Sequence, residues 1–267
     1  MSVAVNVCLL GPMNSGKTSS CKTLATECGK ETFYLAMEPG VHNIVHPHGC
    51  SDGLHIKYVA PASPGLQKLE KKLTDLGKMG LDAIQKSDMR DRQYQQYLEV
   101  VSSCRNFVCD HCGQEFGDVE SWGPDRALVF DGLTGLSKMA MHLVAGPKPN
   151  PSQPEWLSAQ NAVLMLIDDL VHNTNCTFVL LSHIKRTVDE INGGTNISLE
   201  TVGQKLAPKV PLPFDEVVFC QRKGSNVTWS TEERQTELKA RLLPFSRDIR
   251  PSFQEIFNAY DKMHGDK

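Results

Sequence analysis

Two periods of apolar residues alternate along the chain. Val3 to Leu10 is a continuous apolar, β-rich run that stops at Gly11; beyond it Cys21, Leu24, Ala25 and Cys28 recur at helical spacing until Gly29. The unit reads as strand, loop, helix. "TFYLAMEPG" (Thr32 to Gly40) predicts a second buried strand and "GLHIKYVA" a third, shorter one. Residues 65–100 are charged and helical in pattern, and a cysteine-bearing segment from Cys104 to Phe116 follows.

The regular pattern resumes with the strand "RALVFDG" (Arg126 to Gly132) and a helix from Leu133, which the Pro-rich loop "GPKPNPSQPEW" ends. A long amphipathic helix (Leu157 to Asn173) then leads into the strand "CTFVLLSH" (Cys176 to His183). Strands alternating with helices imply an α/β fold, with a mostly parallel central sheet and helices on both faces. The region from Phe214 to Phe245 predicts shorter antiparallel strands appended to that sheet. The expected organisation is one domain over residues 1–267, carrying a helical and Cys-rich insertion at about 65–125.

Composition narrows the function classes. A hydrophobic content of 40% supports one good-sized core. No apolar run approaches the length that crosses a bilayer, and "MSVAVNVCLL" lacks the basic region and cleavage site of a signal peptide, so a soluble, cytoplasmic protein with no membrane partner is expected. The net charge of −3 gives no global basic signature, so any nucleic-acid contact must come from a local patch. Nine cysteines without an export signal read as buried thiols, metal ligands or reactive groups, with Cys8, Cys21, Cys28, Cys176 and Cys220 in core patterns.

The strongest chemical signal is "GPMNSGKTS". Gly11, Gly16, Lys17 and Thr18 fit G-x-x-x-x-G-K-[ST], with Pro12, Met13, Asn14, Ser15 and Ser19 completing the loop. The glycines let backbone N–H groups turn onto phosphates, Lys17 reaches the β and γ oxygens of ATP, and Thr18 offers a hydroxyl to Mg²⁺ at a helix N-terminus. Asp131, closing "ALVFD", is the expected acid that holds the Mg²⁺ through water; capping the next helix is a compatible role. Glu38, ending the second strand, is the candidate for orienting water, with the start of the turn "EPG" as the alternative. Ser182 and His183 end the following strand as candidate sensors of the γ-phosphate, or as solvated strand-end groups.

Two family resemblances compete. "GPMNSGKTSS" resembles the P-loop of the thymidine kinase family, which implies nucleoside phosphorylation and a cysteine-bound zinc. That family carries a glutamate directly after the aspartate and its cysteine pairs downstream; here Gly132 follows Asp131 and "CDHC" lies upstream. The order of motifs over most of the chain resembles RecA-like ATPases, most closely the compact phage-type members that act in single-strand annealing and recombination. The carrying residues are the P-loop, "YLAME", "VFDGLTGL", "VLLSH", a Gly-containing loop and a late "KAR". This resemblance implies a RecA-like core hydrolysing ATP with Mg²⁺, with Glu38 as catalytic carboxylate, Asp131 as metal acid and His183 as sensor. It also implies that Lys239 and Arg241 reach the γ-phosphate of a neighbouring subunit, hence a homo-oligomer; a solvated strand edge is the other reading of that pair.

In such proteins the loop after the sensor strand contacts single-stranded DNA. Here that loop is Ile184 to Lys209, where Lys185, Arg186, Lys205 and Lys209 suit phosphates and Gly193 with Gly194 permits close backbone approach. Asp189, Glu190 and Glu200 offset much of that charge, which leaves an ordinary surface loop as the alternative. Finally, Cys104, Cys109 and Cys112 form C-x4-C-x2-C, the shape of a structural Zn²⁺ knuckle. A fourth ligand is needed, for which His48 and Cys50 are candidates; redox-active or merely exposed thiols remain the alternatives.

Overall fold

The computed structural model describes residues 4–41, 50–61, 95–146, 150–188, 194–233 and 235–264, together with positions 66, 70, 74 and 148. His48, Asp189, Glu190, Gly193 and most of the charged segment 65–94 lie outside the described residues.

Nine strands are described: β1 (Asn6–Leu10), β2 (Glu31–Ala36), β3 (Leu54–Tyr58), β4 (Arg126–Asp131), β5 (Thr177–Ser182), β6 (Ile184–Val188), β7 (Thr195–Leu199), β8 (Glu216–Lys223) and β9 (Asn226–Ser230). The helices are α1 (Lys17–Ser20), α2 (Lys22–Thr26), α3 (Gln96–Arg105), α4 (Leu133–Ala145), α5 (Gln153–Asn173) and α6 (Phe253–His264). Seven strands form one sheet in the order β3-β2-β4-β5-β1-β8-β9, parallel throughout except for β9, while β6 and β7 form a separate antiparallel hairpin.

Alternate residues of each strand feed two cores, the period-2 geometry of a sheet covered on both sides. Phe33, Leu35, Leu128, Phe130, Phe178, Leu180, Val217 and Phe219 pack with α3, α4 and α5. Tyr34, Ala127, Val129, Val179, Leu181 and Val218 face the other way, toward Leu24 of α2 and Phe253 and Ile256 of α6. Phe130 and Phe178 are fully buried and meet edge to face at 5.3 Å. Truncating either to alanine costs about 3–5 kcal/mol.

The α/β class with its mostly parallel sheet is as expected, and three details differ. The strand β8 is a parallel neighbour of β1 rather than part of an antiparallel appendage, so only β9 runs antiparallel. Its run Glu216–Cys220 is buried at every position, the mark of an interior parallel strand. Helix α5 begins at Gln153, four residues earlier than its apolar period suggests. Pro154 sits in the first turn, where its missing N–H costs nothing, and Ser152 and Glu155 form a capping box. Helix α6 was not anticipated, although Phe253, Ile256 and Phe257 carry the i, i+3, i+4 signal.

Candidate functional site

Parallel strands bring their C-terminal ends to one edge of the sheet, and the phosphate loop lies there. The adjacent ends of β2, β4, β5, β1 and β8 supply Glu38, Asp131, His183, the loop after Leu10, and Arg222. Ligands of open α/β sheets bind at this edge. Two backbone bonds tie the ends together: Met37 N donates to Asp131 O at 2.9 Å, and Gly11 N donates to Ser182 O at 3.2 Å. A cavity of about 370 Å³ results, lined by residues 13–19, Glu38 to Val41, Asp131, His183 and Arg222.

Within the loop, Gly16 has φ +85°, and a Cβ there would lie 2.6 Å from Val227 Cγ1, so only glycine suits the position. Lys17 is buried and folds across the loop, its Nζ donating to Gly11 O at 2.8 Å and Pro12 O at 2.9 Å. Desolvation lowers its pKa, opposed by Cys220, Asp131 and Glu38. Thr18, in the first turn of α1, hydrogen bonds to Asp131. Burial pushes the Asp131 carboxyl up to about 6, against the lowering effect of Thr18. A largely buried acid beside a hydroxyl is a donor set that suits a hard divalent ion, and Thr18 and Asp131 are the residues that would hold Mg²⁺.

Glu38 and His183 form the other half of the pocket. His183 Nε2 lies 2.8 Å from Glu38 Oε2, and this hydrogen bond holds the Glu38 carboxyl below its ordinary range despite partial burial. The turn after β4 makes room for it: Gly132 has φ +119°, and a Cβ on it would sit 2.8 Å from Glu38 Cγ. The Gly132 that separates this chain from the thymidine kinase pattern is thus the residue against which Glu38 packs.

Lys17, Glu38, Asp131 and His183 are therefore brought together. Lys239 and Arg241 are not: they lie beside the start of β8, at the opposite end of the strands from the loop. Lys239 Nζ donates to the Leu212 and Phe214 carbonyls, Arg241 Nη1 pairs with Asp215 Oδ1 at 3.0 Å, and Arg241 N donates to Glu216 Oε1. Arg222 was missed in the sequence and lines the pocket from within the same chain.

The segment after His183 is a hairpin rather than a loop. Ile184 begins β6 directly after His183, and Lys185 and Arg186 are exposed on it; Lys205 and Lys209 are exposed farther along. A larger cavity, about 790 Å³, lies between this hairpin and residues 201–217, lined in part by Leu10, Lys185, Gln204 and Glu237.

The cysteine reading is corrected. Cys104 lies on the inner face of α3 with Tyr97 and Val100, buried in the core and apart from Cys109 and Cys112. The group that forms instead is Cys50, His55, Cys109 and Cys112, one donor atom from each lying within 4.8 Å of the others. His55 was not among the sequence candidates.

No protein-family model matches the chain, and no curated protein matches it. Among solved structures it is similar to an ATPase from the type III secretion system of pathogenic bacteria, at 10% identity and a TM-score of 0.42, over 82% of this chain and 52% of that one. It is also similar to the RadB recombinase, at 12% identity and a TM-score of 0.40, over 88% of this chain and 84% of that one. The chain spans about half the length of the first of these.

Proposed function

We propose that the chain is a Mg²⁺-dependent ATPase of RecA-like type that acts on single-stranded DNA in recombination or annealing. The observation that carries this reading is the convergence of Lys17, Thr18, Asp131, Glu38 and His183 on one pocket at the sheet's C-terminal edge. ATP lies with its phosphates on the loop, where Lys17 leaves the Gly11 and Pro12 carbonyls to meet the β and γ oxygens. Thr18 and Asp131 would hold the Mg²⁺, which would supply charge neutralisation at the phosphates. Glu38, kept ionised by His183, accepts a hydrogen bond from the attacking water and aligns it with the γ-phosphorus. Arg222 takes the charge-stabilising role that the resemblance gave to Lys239 and Arg241.

The DNA part of the proposal rests on continuity of the chain. His183 is followed without a linker by the hairpin that carries Lys185 and Arg186. A strand bound along the hairpin would therefore lie next to the residue that positions Glu38. The homo-oligomer implied by the resemblance belongs to the same proposal and is checked by the mass of the protein in solution with ATP and an oligonucleotide.

Phosphate release with and without single-stranded DNA, and with a panel of nucleosides, tests the reading. Stimulation by DNA is the expected result. Formation of a nucleotide from a nucleoside would replace this reading with the kinase one.

A further inference from the structure

Cys109 and Cys112 sit in a tight reversal between Phe107 and Phe116, closed by Phe116 N donating to Phe107 O, Phe107 N to Gly117 O and Cys109 N to Gln114 O. Gly113 N returns to Cys109 O at 2.9 Å, and His111 N points at Cys109 Sγ at 3.4 Å. Such a turn presents two sulfurs to one point. Cys50, just before β3, brings its Sγ to 3.5 Å from Cys109 Sγ, and His55 Nδ1 lies 3.8 Å from Cys112 Sγ. Sulfurs that share a tetrahedral ion at 2.3 Å lie about 3.8 Å apart, whereas a disulfide needs about 2.05 Å. The spacing is that of ligands.

A second observation concerns the far side of the imidazole. His55 Nε2 is 3.3 Å from Glu31 Oε1, whose other oxygen is held by Arg126 Nε at 2.9 Å. The ring is stacked on Phe33 at 4.9 Å and lies against Phe116 at 4.3 Å. A carboxylate on one ring nitrogen fixes the proton there and leaves the other nitrogen's lone pair for a metal.

We propose that Cys50, His55 Nδ1, Cys109 and Cys112 bind one structural Zn²⁺, with Glu31 orienting the histidine, and that the ion clamps the insertion onto the open edge of the sheet. Three soft thiolates and one imidazole are the donor set of a closed structural zinc site. The clamp has a mechanical partner in Asp110, between the two cysteines of the turn. Its N–H donates to Ile56 O, its carboxylate accepts from Tyr58 N, and it pairs with Lys57. These bonds satisfy the outer side of β3, an edge strand that would otherwise offer unpaired groups to another chain. The site lies near the beginning of β3, remote from Glu38 and Asp131 at the opposite strand ends, so it takes no part in phosphate chemistry.

Elemental analysis of the full chain, purified without chelator, tests this. About one zinc per chain is expected, falling toward zero in Cys109→Ser and Cys112→Ser and unchanged in Cys104→Ala; Cys112 is exposed, so its replacement opens no hole in the core. Glu31→Gln should weaken zinc roughly 10–100-fold in competition with a chelator. Cobalt(II) added to metal-free wild type should give the absorption of a tetrahedral thiolate site. Metal-free wild type that takes up neither ion, a Cys50–Cys109 disulfide in its mass, or zinc lost from Cys104→Ala but kept in Cys112→Ser would each overturn the proposal.

Discussion

His183 Nε2 and Glu38 Oε2 stand 2.8 Å apart, joining the end of β5 to the end of β2 across the mouth of the phosphate pocket. The histidine holds the glutamate's geometry and its charge together. Its hydrogen bond is the largest influence lowering the Glu38 pKa, and burial, which would raise it, is outweighed. A carboxylate with a lowered pKa is active above that pKa and is lost as pH falls through it. Turnover should therefore extend to lower pH in the wild type than in His183→Ala, where Glu38 returns toward its ordinary range. A pH–rate series on both proteins checks this; superimposable acid limbs would mean that His183 does not tune Glu38.

Gly132 is as necessary to Glu38 as His183 is. A methyl group at this position would press on Glu38 Cγ from 2.8 Å, at a φ of +119° that other residues avoid. Gly132→Ala should cost about 1–3 kcal/mol of stability and lower turnover well beyond the loss of folded protein. Urea denaturation beside steady-state phosphate release separates the two effects.

Arg222→Ala should lower turnover roughly 10²-fold with little change in ATP affinity, as expected for one donor that acts on developing charge. Lys239→Ala and Arg241→Ala should change stability instead, because their side chains hold the Leu212 and Phe214 carbonyls and Asp215. Comparing kcat and Tm across the three variants tests the reassignment.

The legible part of the site was the part written in single strands. Asp131, Glu38 and His183 each follow an apolar run, and an apolar run that stops at a polar residue marks a strand end facing solvent; Lys17 came with the glycine pattern of its loop. Arg222 lies near the end of a strand too, but β8 reaches the pocket by pairing in parallel with β1 across a long separation, which no local pattern encodes. The cysteine spacing misled for a related reason. Cys104 belongs to a helix whose inward residues Tyr97, Val100 and Cys104 follow the helical period, whereas His55 joins Cys109 only through the sheet edge. The Lys-x-Arg pair lies at the opposite end of β8 from its own phosphate loop, so within one chain it pairs with Asp215 and the Leu212 and Phe214 carbonyls.

Stability should carry its own pH signature at the start of α5. Lys148, followed by Ser152, draws the half-buried Glu155 carboxyl down to about 2. Its contribution is complete above the usual glutamate range and fades as pH falls toward 2, so the urea midpoints of wild type and Glu155→Gln should differ at pH 7 and converge on acidification. A constant gap would point to packing rather than charge.

On the hairpin, Lys185→Ala and Arg186→Ala should leave basal turnover intact and weaken single-stranded DNA. Each lost phosphate contact should reduce the slope of log affinity against log salt by about 0.7. Binding titrations at several salt concentrations read this directly; unchanged slopes would remove the hairpin from the DNA surface.

In the proposed reaction Glu38 activates water at a phosphate site built by Lys17, Thr18 and Asp131. Single-turnover ATP hydrolysis by wild type, Glu38→Gln and Lys17→Ala, with Mg²⁺ and single-stranded DNA present, tests it most directly. The expected result is that Glu38→Gln binds ATP as wild type does and cleaves it about 10²–10⁴-fold more slowly, while Lys17→Ala fails to bind productively. Cleavage by Glu38→Gln at the wild-type rate would contradict the account.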